Sequence, residues 1–153
     1  MKEISITRID ERSEKIDIMK ACDDAFPIRL FDRENAKEIV DRIDRFALFY
    51  AAKKSDTLEI AGYVAFYAND KEGHTAYITS IGVLEEFRHE NVGRGLIETV
   101  ISESMNRGMK KVRLEVLNSN HNAIGFYKHM GFDFEEYSAK TDKNLTSYMI
   151  KDL

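Results

Sequence analysis

The order of apolar and polar positions predicts a strand, a helix, a loop and a second helix in the first third of the chain. The isoleucines near the start form a predicted first strand (Ile4, Ile6 and Ile9). Ser13 is predicted to cap a helix that ends before Pro27. Asp32 is predicted to cap the second helix, whose apolar face consists of Ala36, Ile39, Val40, Ile43 and Ala47.

The loop between these two predicted helices, residues 27–31, is unusually rich in apolar side chains for a segment expected at the surface. Apolar residues on such a loop either line a pocket or pack against the core. The sequence leaves both readings open.

Three strands are predicted in the middle of the chain, where aromatic and β-branched residues cluster. They run over residues 46–52, 60–68 and 75–83. Polar turns at residues 55–56 and 69–73 separate them, so consecutive strands should pair as antiparallel hairpins.

The second half of the chain returns to helical spacing and then alternates again. A long amphipathic helix is predicted from Val92 to Met105, with Gly108 as its stop. A strand over 112–116, a polar turn over 118–122 and a short helix over 123–130 follow. Strands over 132–137 and 145–150 close the pattern, which contains no internal repeat or linker and predicts one domain over residues 1–153.

The junction between the third middle strand and the long helix is a candidate anion site. A strand that feeds a loop opening a helix presents free N–H groups and the positive end of a dipole at one point. Gly93 and Gly95 let an anion approach the backbone, while Arg88 and Arg94 add positive charge. Asn91 tolerates the left-handed conformation of a tight loop. The alternative is an ordinary turn with two solvated arginines.

Composition narrows the class of protein. A net charge of −4 over 153 residues argues against a nucleic-acid or anionic-membrane partner. No apolar run reaches the roughly 18 residues of a membrane span, and the first residues lack a signal-peptide core. The single cysteine, Cys22, fits a reducing cytoplasm, and the four histidines lack metal-ligand spacing. We therefore expect a cytoplasmic protein without a metal site.

Two motifs in order give the chain a family resemblance. The phosphate loop of the GNAT superfamily of acyl-CoA-dependent N-acetyltransferases runs Gln or Arg, two residues, Gly, one residue, Gly or Ala. The chain resembles it at Arg88-His89-Glu90-Asn91-Val92-Gly93, with Asn91 in place of the first Gly. The family's second signature is similar to Leu114-Glu115-Val116, Asn120, Ala123, Tyr127 and Gly131-Phe132.

The resemblance implies an α/β fold of the α+β type, with a central mixed, mostly antiparallel sheet of about seven strands and about four flanking helices. It also implies acetyl-CoA as co-substrate. The strand edge at Ile81, Gly82 and Val83 would pair with the pantetheine arm, and Asn120 would hydrogen-bond the cofactor. The residues implied to surround the pyrophosphate are Arg88, His89, Glu90, Asn91, Val92, Gly93, Arg94 and Gly95.

The same resemblance implies catalytic roles. Tyr127 would give a proton to the departing thiolate, and the alternative is a core aromatic residue. Glu115, which looks like the strand glutamate of N-terminal-amine acetyltransferases, would act as the base, directly or through water. The alternative is a solvated carboxylate or one paired with Arg113. His74 and Tyr77 are weaker candidates for the base, with no motif behind them.

The expected function is therefore direct transfer of acetyl to a primary amine, in a small molecule or in a peptide or protein. Transfer to a hydroxyl or an amino sugar is an alternative, and a non-catalytic acyl-CoA sensor is another. The acceptor is expected against the first two helices, the 27–31 loop and the last hairpin. Related folds often pair their last strands, so a homodimer is also considered.

Overall fold

A computed structural model describes residues 3–88, 90–135 and 145–153 and shows a seven-stranded sheet covered by helices. The strands are β1 (Ile4–Arg8), β2 (Leu48–Lys54), β3 (Ile60–Tyr67), β4 (Thr75–Val83), β5 (Lys111–Leu117), β6 (Asp133–Phe134) and β7 (Thr146–Asp152). The helices are α1 (Arg12–Ala21), α2 (Ala36–Phe46), α3 (Val92–Asn106) and α4 (His121–His129). Single 3-10 turns lie at Asp23–Ala25, Leu30–Asp32 and Glu85–Phe87.

The strand order β1-β2-β3-β4-β5-β7-β6 confirms the mixed, mostly antiparallel sheet. Strands β1 to β4 pair as successive antiparallel neighbours, as the turn residues between them predicted. Strands β4 and β5 are parallel because α3 carries the chain back across the sheet. Strand β7 then pairs antiparallel with both β5 and β6.

The parallel pair β4–β5 separates partway along its length. Its register runs only from Thr75 opposite Lys111 to Ile78 opposite Leu114. At the same point the β3–β4 register shifts by one residue, which leaves Thr79 as the extra residue of a bulge. Bulges bend a strand and increase its twist. The bulge therefore coincides with the place where β4 turns away from β5 and opens a split.

Strand β3 is buried on both faces and divides the interior into two cores. One core joins the sheet to α3 and α4 and includes Phe66, Ile78 and Leu96. The other joins the opposite face to α1 and α2 and includes Tyr63, Phe49 and Ile43. Alternation along β3 produces this division, since neighbouring side chains point to opposite faces.

Both predicted N-terminal helix caps are wrong. Helix α1 begins at Arg12, so Ser13 lies inside it and Glu11 occupies the cap position without a capping hydrogen bond. Helix α2 begins at Ala36, because Asp32 is held in a separate 3-10 turn. Arg12, the first residue of α1, pairs with Asp41 and Asp44 of α2, a long-range contact that a local cap rule does not include.

The predicted C-terminal stop of α3 is confirmed. Gly108 has a φ of 82°, and its N–H donates to the Met105 carbonyl at 3.0 Å. The N–H of Met109 donates to the Ser104 carbonyl at 2.9 Å, which completes a Schellman motif.

The last predicted elements are displaced by a few residues. Helix α4 begins at His121, before the predicted start at 123, and β6 covers only Asp133–Phe134. Tyr137, at the end of the strand predicted over 132–137, lies outside the described residues.

Candidate active site

The split leaves one edge of β4 uncovered beyond Ile78. Ile81 and Val83 pack toward the core shared with α3, and Gly82 is buried under the ring of Phe26 on the other face. A strand edge with unpaired N–H and C=O groups accepts another extended chain. The edge at 81–83 can therefore pair with a strand-like ligand that enters the split.

The start of α3 lies just beyond this edge and offers N–H groups to an anion. Asn91 has φ 60° and ψ 21°, the left-handed conformation predicted for it. The first turn of a helix has no helical acceptor for its N–H groups, which here belong to Val92, Gly93 and Arg94. The N–H of Gly95 instead donates to the Asn91 carbonyl at 3.1 Å.

Two backbone donors of the preceding loop are used within the loop. The N–H of Glu90 donates to the Phe87 carbonyl at 3.2 Å, and that of Arg88 donates to Glu85 at 3.3 Å. His89, one of the predicted cofactor residues, lies outside the described residues. The described anion donors are thus concentrated in the first turn of α3.

Packing supplies a reason for the two glycines that the sequence did not show. A Cβ placed on Gly93 would lie 3.1 Å from the Phe126 ring, and one on Gly95 would lie 2.8 Å from Ile6. Gly93 therefore allows α4 to approach the start of α3. Gly95 allows β1 to approach the same helix.

The two predicted arginines flank the start of α3 and are exposed. Arg88 donates through Nε to the Val83 carbonyl at 3.3 Å, which holds its side chain beside the end of β4. Positive charge next to a helix N-terminus adds to the attraction of that terminus for anions.

Asn120 lies in the connection from β5 to α4. It occupies the N-cap of α4, where its Oδ1 accepts the Ala123 N–H at 3.3 Å. The amide NH₂ of an asparagine that caps through oxygen keeps its donors for another partner.

Tyr127 lies on α4 and packs against the core shared with α3. Its ring meets Phe132 edge-on with centroids 5.9 Å apart. Its carbonyl accepts the Phe132 N–H at 2.9 Å in a second Schellman motif, formed around Gly131. Burial raises the pKa of the half-buried Tyr127 to about 12, so the hydroxyl keeps its proton at neutral pH.

Glu115 lies on β5 just past the last residue that pairs with β4. Its side chain is exposed, and Oε2 accepts the Thr146 hydroxyl at 2.8 Å. Arg113, the partner considered from the sequence, instead binds Glu135 through Nε at 2.5 Å and Nη2 at 3.2 Å. Glu115 is thus held by a neutral hydroxyl.

Glu115 and Tyr127 lie on opposite faces of the sheet. Leu114 and Val116, which flank Glu115 on the strand, point into the core where Tyr127 packs, so Glu115 points the other way. The split between β4 and β5 separates them.

Tyr77, one of the two weaker candidates from the sequence, lies on β4 just before the split. It pairs with Arg113 across β4 and β5, on the same face as Glu115. Its pKa is raised to about 12, first by burial and then by the charge of Glu115. The sequence signal for Tyr77 was its place between Ala76 and Ile78, since neighbouring residues of a strand point to opposite faces. The other weak candidate, His74, precedes β4 at the paired end of the strand, away from the split.

The loop after α1 also reaches the site. Phe26 covers Gly82, where a Cβ would lie 2.9 Å from its ring, and it meets Tyr63 edge-on. An open surface cavity of about 520 Å³ lies between the 3-10 turns Asp23–Ala25 and Glu85–Phe87. It is lined by Asp24, Ala25, Leu84, Glu85, Glu86 and Arg88. The loop after α1 therefore faces the segment that leads into the first turn of α3.

Among the described residues, no group of three or more His, Cys, Asp or Glu side chains is arranged to hold a metal ion. None of the described helices is long and apolar enough to cross a membrane.

Comparison with known proteins places these features in context. Residues 15–132 match the model of the Acetyltransferase (GNAT) family. The N-alpha-acetyltransferase 60 of Xenopus tropicalis is 40% identical over 65 residues, which cover 40% of this chain and 27% of that protein. The mouse thialysine N-epsilon-acetyltransferase is 30% identical over 74 residues, which cover 47% of this chain and 44% of the enzyme. The matches thus span less than half of either relative.

The fold has a solved counterpart over nearly its whole length. A GNAT family acetyltransferase from Elizabethkingia anophelis, solved with acetyl-CoA bound, superposes with a TM-score of 0.71 at 21% identity. The superposition covers 98% of each chain.

Proposed function

Because the chain belongs to the Acetyltransferase (GNAT) family, we propose that it transfers the acetyl group of acetyl-CoA directly to a primary amine. The observation that carries this proposal is the split between β4 and β5. Beyond the split, β4 leads to the N-terminus of α3, and Glu115 follows the last β5 residue that pairs with β4; Glu115 and Tyr127, on opposite faces of the sheet, would act there.

The described residues fit acetyl-CoA in two independent ways. The N–H groups of Val92, Gly93 and Arg94 would bind the pyrophosphate, aided by the positive charge of Arg88. The uncovered edge at 81–83 would pair with the amide groups of the pantetheine arm. Acetyl-CoA would supply the activated acetyl group as a thioester.

The acceptor must attack as a free amine. From a lysine-like pKa of about 10.4, removing the proton at neutral pH costs roughly 4–5 kcal/mol. Glu115 would accept this proton, directly or through water, since its carboxylate is exposed and follows the last β5 residue that pairs with β4. Tyr127 would donate its hydroxyl proton to the departing sulfur from the other side.

Nitrogen is the favoured acceptor atom because both curated relatives are named as N-acetyltransferases, one for an α-amine and one for an ε-amine. Both kinds of amine remain candidates, in a small molecule or in a peptide or protein. Residues 10–45 contain 11 acidic and 8 basic residues, and this modest excess favours an acceptor that arrives protonated.

A panel of acceptors tests the proposal. Release of free coenzyme A is followed with small diamines, with peptides whose N-terminus alone is free, and with peptides whose lysine alone is free. We expect turnover with at least one amine and none with matched N-acetylated acceptors. Tight binding of acetyl-CoA by calorimetry without turnover on any amine would overturn the proposal in favour of a sensor.

A further inference from the structure

Asp23 is a buried carboxylate outside the groups assigned so far. It lies in the 3-10 turn after α1 and is only 8% exposed. Its Oδ1 accepts the N–H of Leu30 at 2.7 Å, and its Oδ2 accepts the N–H of Phe31 at 3.2 Å. One side chain thus ties together the two ends of the loop over residues 24–31.

The tied loop has a fixed base and an exposed tip. Leu30 and Phe26 pack into or against the core shared with α1 and α2, whereas Pro27, Ile28 and Arg29 face solvent. Because ionised carboxylates accept N–H hydrogen bonds strongly, the Asp23 contacts resist opening of this loop.

The loop lies on the same face of the sheet as Glu115. Phe26 rests on Gly82 and on the ring of Tyr63, whose hydroxyl bonds Ser80 at 2.5 Å. These β4 positions belong to the half of the strand beyond the split. The loop therefore borders the split on the side from which an acceptor would reach Glu115.

We propose that Asp23 is a positioning residue for acceptor binding, which holds the 24–31 loop in place as one wall of the acceptor cleft. The inference rests on the proposed function, since it needs an acceptor on the Glu115 face. Asp23 itself does not touch the reacting atoms; it acts through the loop.

The Arg29–Leu30 peptide bond gives a direct measure of loop opening. Its N–H is the one that donates to Oδ1 of Asp23, and it follows an exposed arginine that trypsin recognises. Cleavage of this bond by low trypsin, followed by mass spectrometry, reports the open fraction of the loop without any need for activity.

Two Asp23 variants and one control distinguish opening of the loop from a general loss of stability. Asp23→Asn keeps one acceptor oxygen and Asp23→Ala keeps none, so cleavage should rise in that order, by about fivefold or more for alanine. Asp44→Asn is the control. Asp44 of α2 accepts a hydrogen bond from Lys15 of α1 on the same side of the sheet, but it makes no contact with the ends of the 24–31 loop. It should leave cleavage after Arg29 unchanged below its melting temperature.

Kinetics with an acceptor that the wild-type protein acetylates complete the test. Asp23→Asn should raise the acceptor KM severalfold, leave kcat nearly unchanged and change the acetyl-CoA affinity by less than about threefold. Unchanged cleavage in both Asp23 variants would show that Asp23 does not hold the 24–31 loop in place. Faster cleavage with an unchanged acceptor KM would overturn the role in acceptor binding. No turnover by the wild-type protein would overturn the proposed function, and with it the role of Asp23 in acceptor binding. The cleavage assay would still show whether Asp23 holds the loop in place.

Discussion

Thr146 on β7 donates its hydroxyl hydrogen to Oε2 of Glu115 on β5 across 2.8 Å. This bond holds one carboxylate oxygen toward β7, the neighbour of β5 on the side away from β4.

Glu115→Gln is expected to lower kcat/KM most at low pH, where the free amine is scarcest. Loss of a general base typically costs on the order of 10²–10⁴-fold, and less where water substitutes for it. Thr146→Val should cost only a few-fold alone and nothing further in the Glu115→Gln background. The measurement is a set of pH–rate profiles for the two single variants and the double variant. Equal losses for Thr146→Val in both backgrounds would show that the threonine acts independently of Glu115.

Tyr127→Phe keeps the ring that packs against Phe132 but removes the hydroxyl. If the hydroxyl protonates the departing sulfur, kcat should fall by about 10²–10⁴-fold. The acetyl-CoA KM should change little, because the interaction is made only in the transition state. Steady-state kinetics with a pre-steady-state check that chemistry limits the rate provide the test. A wild-type kcat in this variant would assign the proton to another group or to water.

The raised pKa of Tyr127 also predicts a loss of stability in alkali. The folded protein holds this proton up to about pH 12, whereas an unfolded tyrosine loses it near pH 10. The unfolded state therefore binds fewer protons in this window, and stability falls as the pH rises from about 10 to 12. Urea unfolding at pH 9 and 11 should show a smaller drop for Tyr127→Phe than for the wild type. An identical drop would mean that the Tyr127 hydroxyl is solvated.

Arg94→Glu is expected to weaken acetyl-CoA binding by about 10- to 100-fold, because it replaces an attractive charge at the anion site by a repulsive one. The helix itself should tolerate the change, since a carboxylate suits a helix N-terminus. Arg107→Glu is the matched control, because Arg107 follows the last turn of the same helix at its other end. Calorimetry should find wild-type affinity for Arg107→Glu, and similar losses in both variants would point to net charge as the cause.

Asn91 should be replaceable by glycine but not by alanine. Its left-handed backbone at φ 60° costs a residue with a Cβ roughly 1–2 kcal/mol, which asparagine partly offsets and glycine avoids. Asn91→Gly should keep both stability and acetyl-CoA affinity, while Asn91→Ala should lower the free energy of unfolding by about 1 kcal/mol. Urea denaturation of the three proteins measures this, and equal stabilities would mean that the loop relaxes to another conformation.

The fold was predictable from sequence where local pattern and turn chemistry agree. The periodic face from Val92 to Met105 with Gly108 behind it predicted α3 and its end. The polar turns between residues 46 and 83 predicted the antiparallel order. In both cases the signal lies within a few residues of the structure that it specifies.

Near the candidate site, backbone geometry was predictable where a tight loop before a helix constrains its residue types. The left-handed conformation expected for Asn91 is confirmed, while anion binding at the first turn of α3 stays a prediction. Contacts between distant segments left no comparable signal. Asp23 bonding to Leu30, Gly93 beside Phe126 and Thr146 bonding to Glu115 each join positions whose spacing in sequence follows no period.

The division of the interior by β3 has a consequence for how such a protein can diverge. The first turn of α3 packs on one core, and the loop held by Asp23 packs on the other. Substitutions at distant sites without shared partners have nearly additive effects on stability. Residues 12–46 could therefore be exchanged by recombination with a relative whose β2 and β3 present similar side chains to the second core, while the core beneath α3 is inherited unchanged.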